Sequence, residues 1–193
     1  MNLRRPVNLI SRGFTLIEML VVIGIIAILA TLAVPAGQKV LQKARELQAK
    51  SAMKGLEIGI KGYQTEYSRL PSEAAPTEDT AEGLDTSGDG RGILNILMAN
   101  NEAKNPRAIR FYDPPAQKGT AGYSDSYGLR DIWGENGYKM LLDYDGDGRL
   151  ENPYTNEDAD EISASVLIYC AGANKVWDES ASTTRIDDLK SWN

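Results

Sequence analysis

Arg12-Gly13-Phe14-Thr15-Leu16-Ile17-Glu18-Met19-Leu20-Val21-Val22 opens a stretch that stays apolar as far as Val34. From Phe14 onward this is about the ~20 residues that a helix needs to cross a hydrocarbon layer. Arg4, Arg5 and Arg12 precede it, and basic residues in that position stay cytoplasmic while the rest of the chain is sent outward. One residue disturbs the pattern. Glu18 places a carboxylate in the apolar run, at a cost of about 3 kcal/mol on insertion scales, which marks it as a functional residue by default. Three readings compete. A secretory signal peptide, cleaved after a small residue such as Ala30 or Ala33, is at odds with the length of the run and gives Glu18 no role. A plain single-span anchor leaves the acid equally unexplained. A cut between Gly13 and Phe14 explains it, because the new α-amino group lies four residues before Glu18, on the same helix face. The amine of one copy also pairs with Glu18 of a neighbour when helices stack. Such a buried pair adds little stability but fixes register.

Charge divides the chain. Residues 1–62 hold nine Lys/Arg against three acids, whereas the whole chain holds 21 basic and 27 acidic residues, so the remainder is strongly acidic. A basic stem and an acidic head imply different surroundings for the two parts. The acidic head has no electrostatic footprint for nucleic acid. The chain has no histidine and one cysteine, Cys170, which excludes Ser-His and Cys-His catalytic pairs, His-containing zinc sites and an intrachain disulfide. Cys170 ends the apolar run 165–169 and reads as a small buried hydrophobe.

Pro35 removes one helical hydrogen bond and predicts a kink or helix end. Beyond Gly37, apolar residues Val40, Ala44, Leu47, Met53, Leu56, Ile60, Tyr63 and Tyr67 recur at spacings that predict an amphipathic helix. Run together from Phe14 to Tyr67, the two parts form a helix of roughly 80 Å, long enough to need partners. Gly55, Gly59 and Gly62 are costly in a helix interior and imply the close approach of a packed sheet. Leu70-Pro71 ends the helix. A loop follows over 72–83, then a short helix over 91–100 and strands over 108–112, 137–144 and 163–170. The sum is an α+β fold, a long helix against a small antiparallel sheet. Its expected divisions are a leader 1–13, a transmembrane helix 14–35, a stem 36–69 and a head 70–193.

The run Asp143-Tyr144-Asp145-Gly146-Asp147-Gly148 matches the first half of a calcium loop, with carboxylates at alternate positions and a turn glycine. The twelfth position is Tyr154 rather than the bidentate glutamate such a loop requires, and the other reading is an Asx-rich turn in solvent. Asp85 to Gly90 is a weaker echo.

The junction 12–22 resembles the class III leader junction of type IV pilins and type II secretion pseudopilins. The resemblance implies that a prepilin peptidase cuts after Gly13 and methylates Phe14, and that Glu18 guides docking into a growing filament. Leu129-Arg130-Asp131-Ile132-Trp133-Gly134-Glu135-Asn136-Gly137-Tyr138 resembles the Asp-Pro-Trp-Gly-Asn-Pro-Tyr stretch of major pseudopilins. Ala171-Gly172-Ala173-Asn174-Lys175, followed by Asp187-Asp188-Leu189 and Trp192, resembles the calcium-binding terminal loop of that subfamily. This implies Asp187 and Asp188 as side-chain ligands, with Asn174 and the carbonyls of the 171–174 turn beside them. The expectation is therefore a non-enzymatic major pseudopilin of a type II secretion system. It is anchored in the bacterial inner membrane with its head in the periplasm, and assembled with itself by an inner-membrane platform and minor pseudopilins. A type IV pilus or competence pilin is the near alternative. A membrane-tethered calcium-binding enzyme or adhesin is the distant one, able to use acid pairs as glycosidases do.

Overall fold

The computed structural model describes residues 13–74, 76, 78–80, 82–154, 160–178 and 187–192, with residues 32–36 as helical backbone only. Residues 1–12 of the expected leader, and the Pro35 side chain that was to kink the helix, lie outside the described residues. Helix α1 spans Leu16–Tyr67. The chain divides into two compact units, residues 1–43 and 44–193. The boundary falls inside the expected stem, so residues of α1 from Ala44 onward belong to the head.

In the first unit, Thr15 starts the helix. Its carbonyl accepts from Met19 N at 3.3 Å, and its side chain caps the first turn. Every described side chain from Phe14 to Thr31 is exposed in the single copy. A helix that is apolar all round requires an apolar environment or other helices. No helix among the described residues is long and apolar enough to cross a membrane. Described side chains in the apolar run stop at Thr31, short of Val34.

In the second unit the buried residues Ala49, Met53, Leu56, Ile60 and Tyr63 form one stripe of α1. They share a core with helix α2, Arg91–Leu97, and with one face of an antiparallel sheet. The sheet order is β1 (Leu84–Asp85), β4 (Lys139–Leu142), β7 (Val166–Cys170) and β8 (Leu189–Lys190). Between β1 and β4 in the chain lies a small hairpin, β2 (Gly122–Ser124) and β3 (Gly128–Arg130), and between β4 and β7 another, β5 (Leu150–Glu151) and β6 (Glu161–Ile162). Alternation along the strands divides the side chains. Met140, Leu142, Ile168 and Cys170 join the α1 side, while Leu141, Leu167 and Tyr169 join a second cluster with Leu150 and Tyr154. Both faces of β7 are covered, which is why its sequence reads as an unbroken apolar run.

Three expectations are corrected. Residues 108–112 are not a strand: Ala108 takes φ 49°, and the amides of Phe111 and Tyr112 both donate to Leu97 O, closing the end of α2. Gly55, Gly59 and Gly62 admit this irregular segment rather than the sheet, since a Cβ on Gly59 would lie 3.0 Å from Phe111 O. Helix α2 also stops early, at Leu97 rather than residue 100, while α1 ends at Tyr67 as expected, and each is followed by a residue in the left-handed region. Ser68 (φ 53°) follows α1, and Ala99 (φ 64°) follows α2, where Asn100 N returns to Asn95 O.

Candidate functional sites: a cut junction and two aspartate clusters

The peptide between Gly13 and Phe14 lies outside the helix, and Phe14 is 72% exposed. Immediately beyond it, Thr15 and Glu18 form a reciprocal cap. Glu18 Oε2 accepts from Thr15 N at 2.8 Å and from Thr15 Oγ1 at 2.7 Å, and Glu18 N donates to Thr15 Oγ1. This is the Thr-x-x-Glu capping box. Glu18 therefore has a local partner in the uncut chain, which the search for a counter-charge overlooked although the spacing was readable. The three residues expected at the junction, Gly13, Phe14 and Glu18, lie together: an exposed peptide bond and an acid held against the first turn.

In the head, Asn174, Asp187 and Asp188 also come together, joined by Asp178, which the sequence did not single out. Asp187 Oδ2 accepts from the amides of Ala173 and Asn174 at 3.0 and 2.9 Å. The 171–174 turn thus presents amides to Asp187, where the sequence led us to expect carbonyls. Asn174 Nδ2 donates to Asp178 Oδ2 at 3.1 Å. Asp188 Oδ2 accepts from the Tyr154 hydroxyl at 2.7 Å and from Asp178 N at 3.1 Å. Asp187 Oδ1 and Asp188 Oδ1 are buried without a hydrogen-bond partner. Burial, with the neighbouring Asp178 and Asp187 charges adding to it, pushes the Asp188 carboxyl up to about 6. Hard oxygen donors with buried, unanswered lone pairs fit a divalent cation such as calcium. Gly172 (φ 67°) is required for the approach, since a Cβ there would strike Asp187 O at 2.2 Å. The signal for Asp178 was its place four residues after Asn174, beside a tryptophan.

The second cluster gathers Asp143, Asp145 and Asp147 with Asp79, from 64 residues earlier in the chain. Here the carboxylates are answered by backbone. Asp143 accepts from Gly146 N and Gly148 N, Asp145 from Asp147 N, Asp147 from Arg149 N, and Asp79 from Tyr144 N. Tyr154, at the twelfth position, is committed to Asp188 instead. The Asp85–Gly90 echo is a turn in which Asp85 accepts from Ser87 and Asp89 from Asp85 N.

Asp131 in the Asp-Ile-Trp-Gly run is 1% exposed, accepts from the amides of Trp133 and Gly134 through Oδ1, and leaves Oδ2 without a partner. Burial pushes its carboxyl up to about 6. Burial also raises the Cys170 thiol to about 12, as befits an inert core residue.

With this geometry in hand, residues 10–34 match the prokaryotic N-terminal methylation motif. The chain is type IV pilin-like. It is 33% identical over 104 residues to a fimbrial protein of Neisseria meningitidis, covering 51% of this chain and 61% of that protein. It is 29% identical over 97 residues to the type IV major fimbrial protein FimA of Dichelobacter nodosus, covering 50% of this chain and 60% of FimA. Over 34 residues it is 67% identical to the prepilin peptidase-dependent protein D of Escherichia coli, covering 18% and 23% of the two chains. The matches thus span less than two thirds of these relatives' own length. No solved structure matches the chain. Its long helix followed by a small antiparallel sheet is the pilin-type α+β architecture expected from the sequence.

Proposed function

We propose that this chain is a structural filament subunit, inserted in the bacterial inner membrane through residues 14–34 and cut between Gly13 and Phe14 by a prepilin peptidase. Phe14 then carries the N-methyl group, and Glu18 pairs with the amine of an adjacent copy to set register as helices stack. The observation that carries the reading is Glu18 itself. An acid in an apolar helix, beside an exposed bond whose cleavage creates an amine, gains a counter-charge when that bond is cut, beyond the Thr15 cap it already makes.

The Thr15–Glu18 cap supplies a discriminating experiment. Glu18→Gln keeps the capping hydrogen bonds but removes the charge, whereas Glu18→Ala removes both. Both variants are expected to be processed yet to lose filament assembly by tenfold or more. Normal filaments from Glu18→Gln would reduce Glu18 to a cap and remove the register role.

Within filament subunits, the reading is the major pseudopilin of a type II secretion system, with the head in the periplasm and assembly on an inner-membrane platform with minor pseudopilins. The Asp-Ile-Trp-Gly turn and the Asp178, Asp187 and Asp188 cluster support it. Calcium is the cation proposed for that cluster. When bound it supplies a fixed positive charge, and the residues around it close the 171–178 loop over the sheet edge at β8. A subunit of a type IV pilus or a competence pilus is the second reading, supported by the fimbrial names of the relatives.

A further inference from the structure

The filament reading leaves one surface without a task. On the 44–193 unit a groove of about 630 Å³ runs beside α1, floored by Ala52 and Gly55, walled by Tyr112 and Ile132, and bordered by Arg130 and Lys118. Tyr112 is 6% exposed, yet its hydroxyl has no partner among the described residues, and the buried Arg130 Nε has none either. The Arg130 guanidinium stacks 4.3 Å over the Tyr127 ring and makes no ion pair among the described residues. Asp113, the acid at the groove, is already paired with Arg110 at 3.0 Å. A groove edged by Arg130 and Lys118, whose one acid is already paired, carries net positive charge and fits an acidic occupant.

This chain carries such an occupant at the other end of the same unit. The Asp145-Gly146-Asp147-Gly148 tip adjoins the end of α1, where Gln64 and Ser68 share a depression with Asp143 and Gly146. Asp145 and Asp147 are exposed, and each gives one oxygen to its own turn, leaving the other for an outside donor. A Cβ on Gly146 or Gly148 would meet nothing within 4 Å, so the tip is narrow and free on its sides. From Ala52 to Gln64 the helix rises about 18 Å. The cations at the groove and the acids of the tip, set beside different turns of α1, form no ion pair within a copy among the described residues, but they meet between copies displaced along the helix.

We propose that the groove at Arg130 and Lys118 receives the Asp145–Gly148 tip of a second copy of this chain. The contact is heterologous, so it repeats head to tail and gives the stack a direction. It rests on the filament reading above.

The test uses the full-length protein in membranes of producing cells, with Cys170 buried and silent. Lys118 and Asp147 are exposed, so neither substitution disturbs the core. A chain carrying both Lys118→Cys and Asp147→Cys is expected to give a ladder of multimers with a short bis-maleimide, and each single variant to give none. Lys118→Glu and Asp147→Lys are each expected to reduce filament yield at least tenfold, and the two exchanges together to restore it. Filaments that form without a ladder, or that ignore both charge reversals, would overturn this contact while leaving the filament reading intact. An unaltered chain that forms no filaments under its native machinery would overturn both.

Discussion

The two aspartate clusters of the head use one residue type in opposite ways. At Asp143, Asp145 and Asp147 the carboxylates are answered by amides of their own turn, with Asp79 holding Tyr144 N from across the chain. At Asp178, Asp187 and Asp188 two buried oxygens stay unanswered and the Asp188 carboxyl is pushed up to about 6. Alternate acids around glycines therefore make a turn that completes itself, whereas adjacent acids drawn under a folded loop create a demand for positive charge. The motif that looks more like a metal loop in sequence is the one whose carboxylates each already accept from a backbone amide. Local density of acids is a poor guide to a cation, and unanswered lone pairs are a better one.

The largest effect that separates the clusters is calcium-dependent stability. At a hundredfold excess over its dissociation constant a ligand contributes about 2.7 kcal/mol, which for a unit of this size raises the midpoint by about 5 to 11 °C. Calcium is expected to raise the thermal midpoint of the full-length protein by that order, and Asp187→Ala to remove most of the rise. Trp177, whose ring lies 5.5 Å from that of Tyr169 beside the cluster, provides a fluorescence readout of the same event. An equal midpoint in calcium and in chelator would end the distinction.

A smaller effect is expected at the other cluster. Asp143→Ala strands the amides of Gly146 and Gly148 and should cost about 1 to 3 kcal/mol with or without calcium, so the calcium increment survives. Loss of that increment in Asp143→Ala would make the two clusters alike.

The smallest effect is on pH. The folded Asp131 carboxyl is raised by burial from 3.8 to about 6, so the folded state binds its proton more tightly than the unfolded state. Its contribution to stability is present at low pH and is lost as pH rises from about 4 through about 6. In chelator, the midpoint should therefore fall between about pH 4 and 6, and Asp131→Asn should flatten the slope. A slope unchanged by that substitution would exclude Asp131 as its source.

Much of the fold was legible because its signals are periodic. The stripe from Met53 to Tyr63 announced α1, and the apolar runs 137–144 and 163–170 announced the two central strands. What escaped depends on closure over distance. Residues 108–112 have the composition of a strand but are recruited to cap α2, and no local pattern encodes that exchange. Gly59 was readable as a site of close approach, but its partner, Phe111 O, was not. The candidate sites followed the same rule. Asp187, Asp188 and Asn174 stood out through resemblance, while Asp178 and Asp79 join their clusters only once separate loops fold together. The Thr15–Glu18 cap was local and legible, but a carboxylate in an apolar run draws attention to charge before it draws attention to hydrogen bonds.

Mass spectrometry of the N-terminus of the protein isolated from its own membranes tests the central claim most directly. The account predicts a chain that begins at N-methylated Phe14. A chain that retains Met1, or that begins at Thr31 or Val34 after cleavage at Ala30 or Ala33, would contradict it.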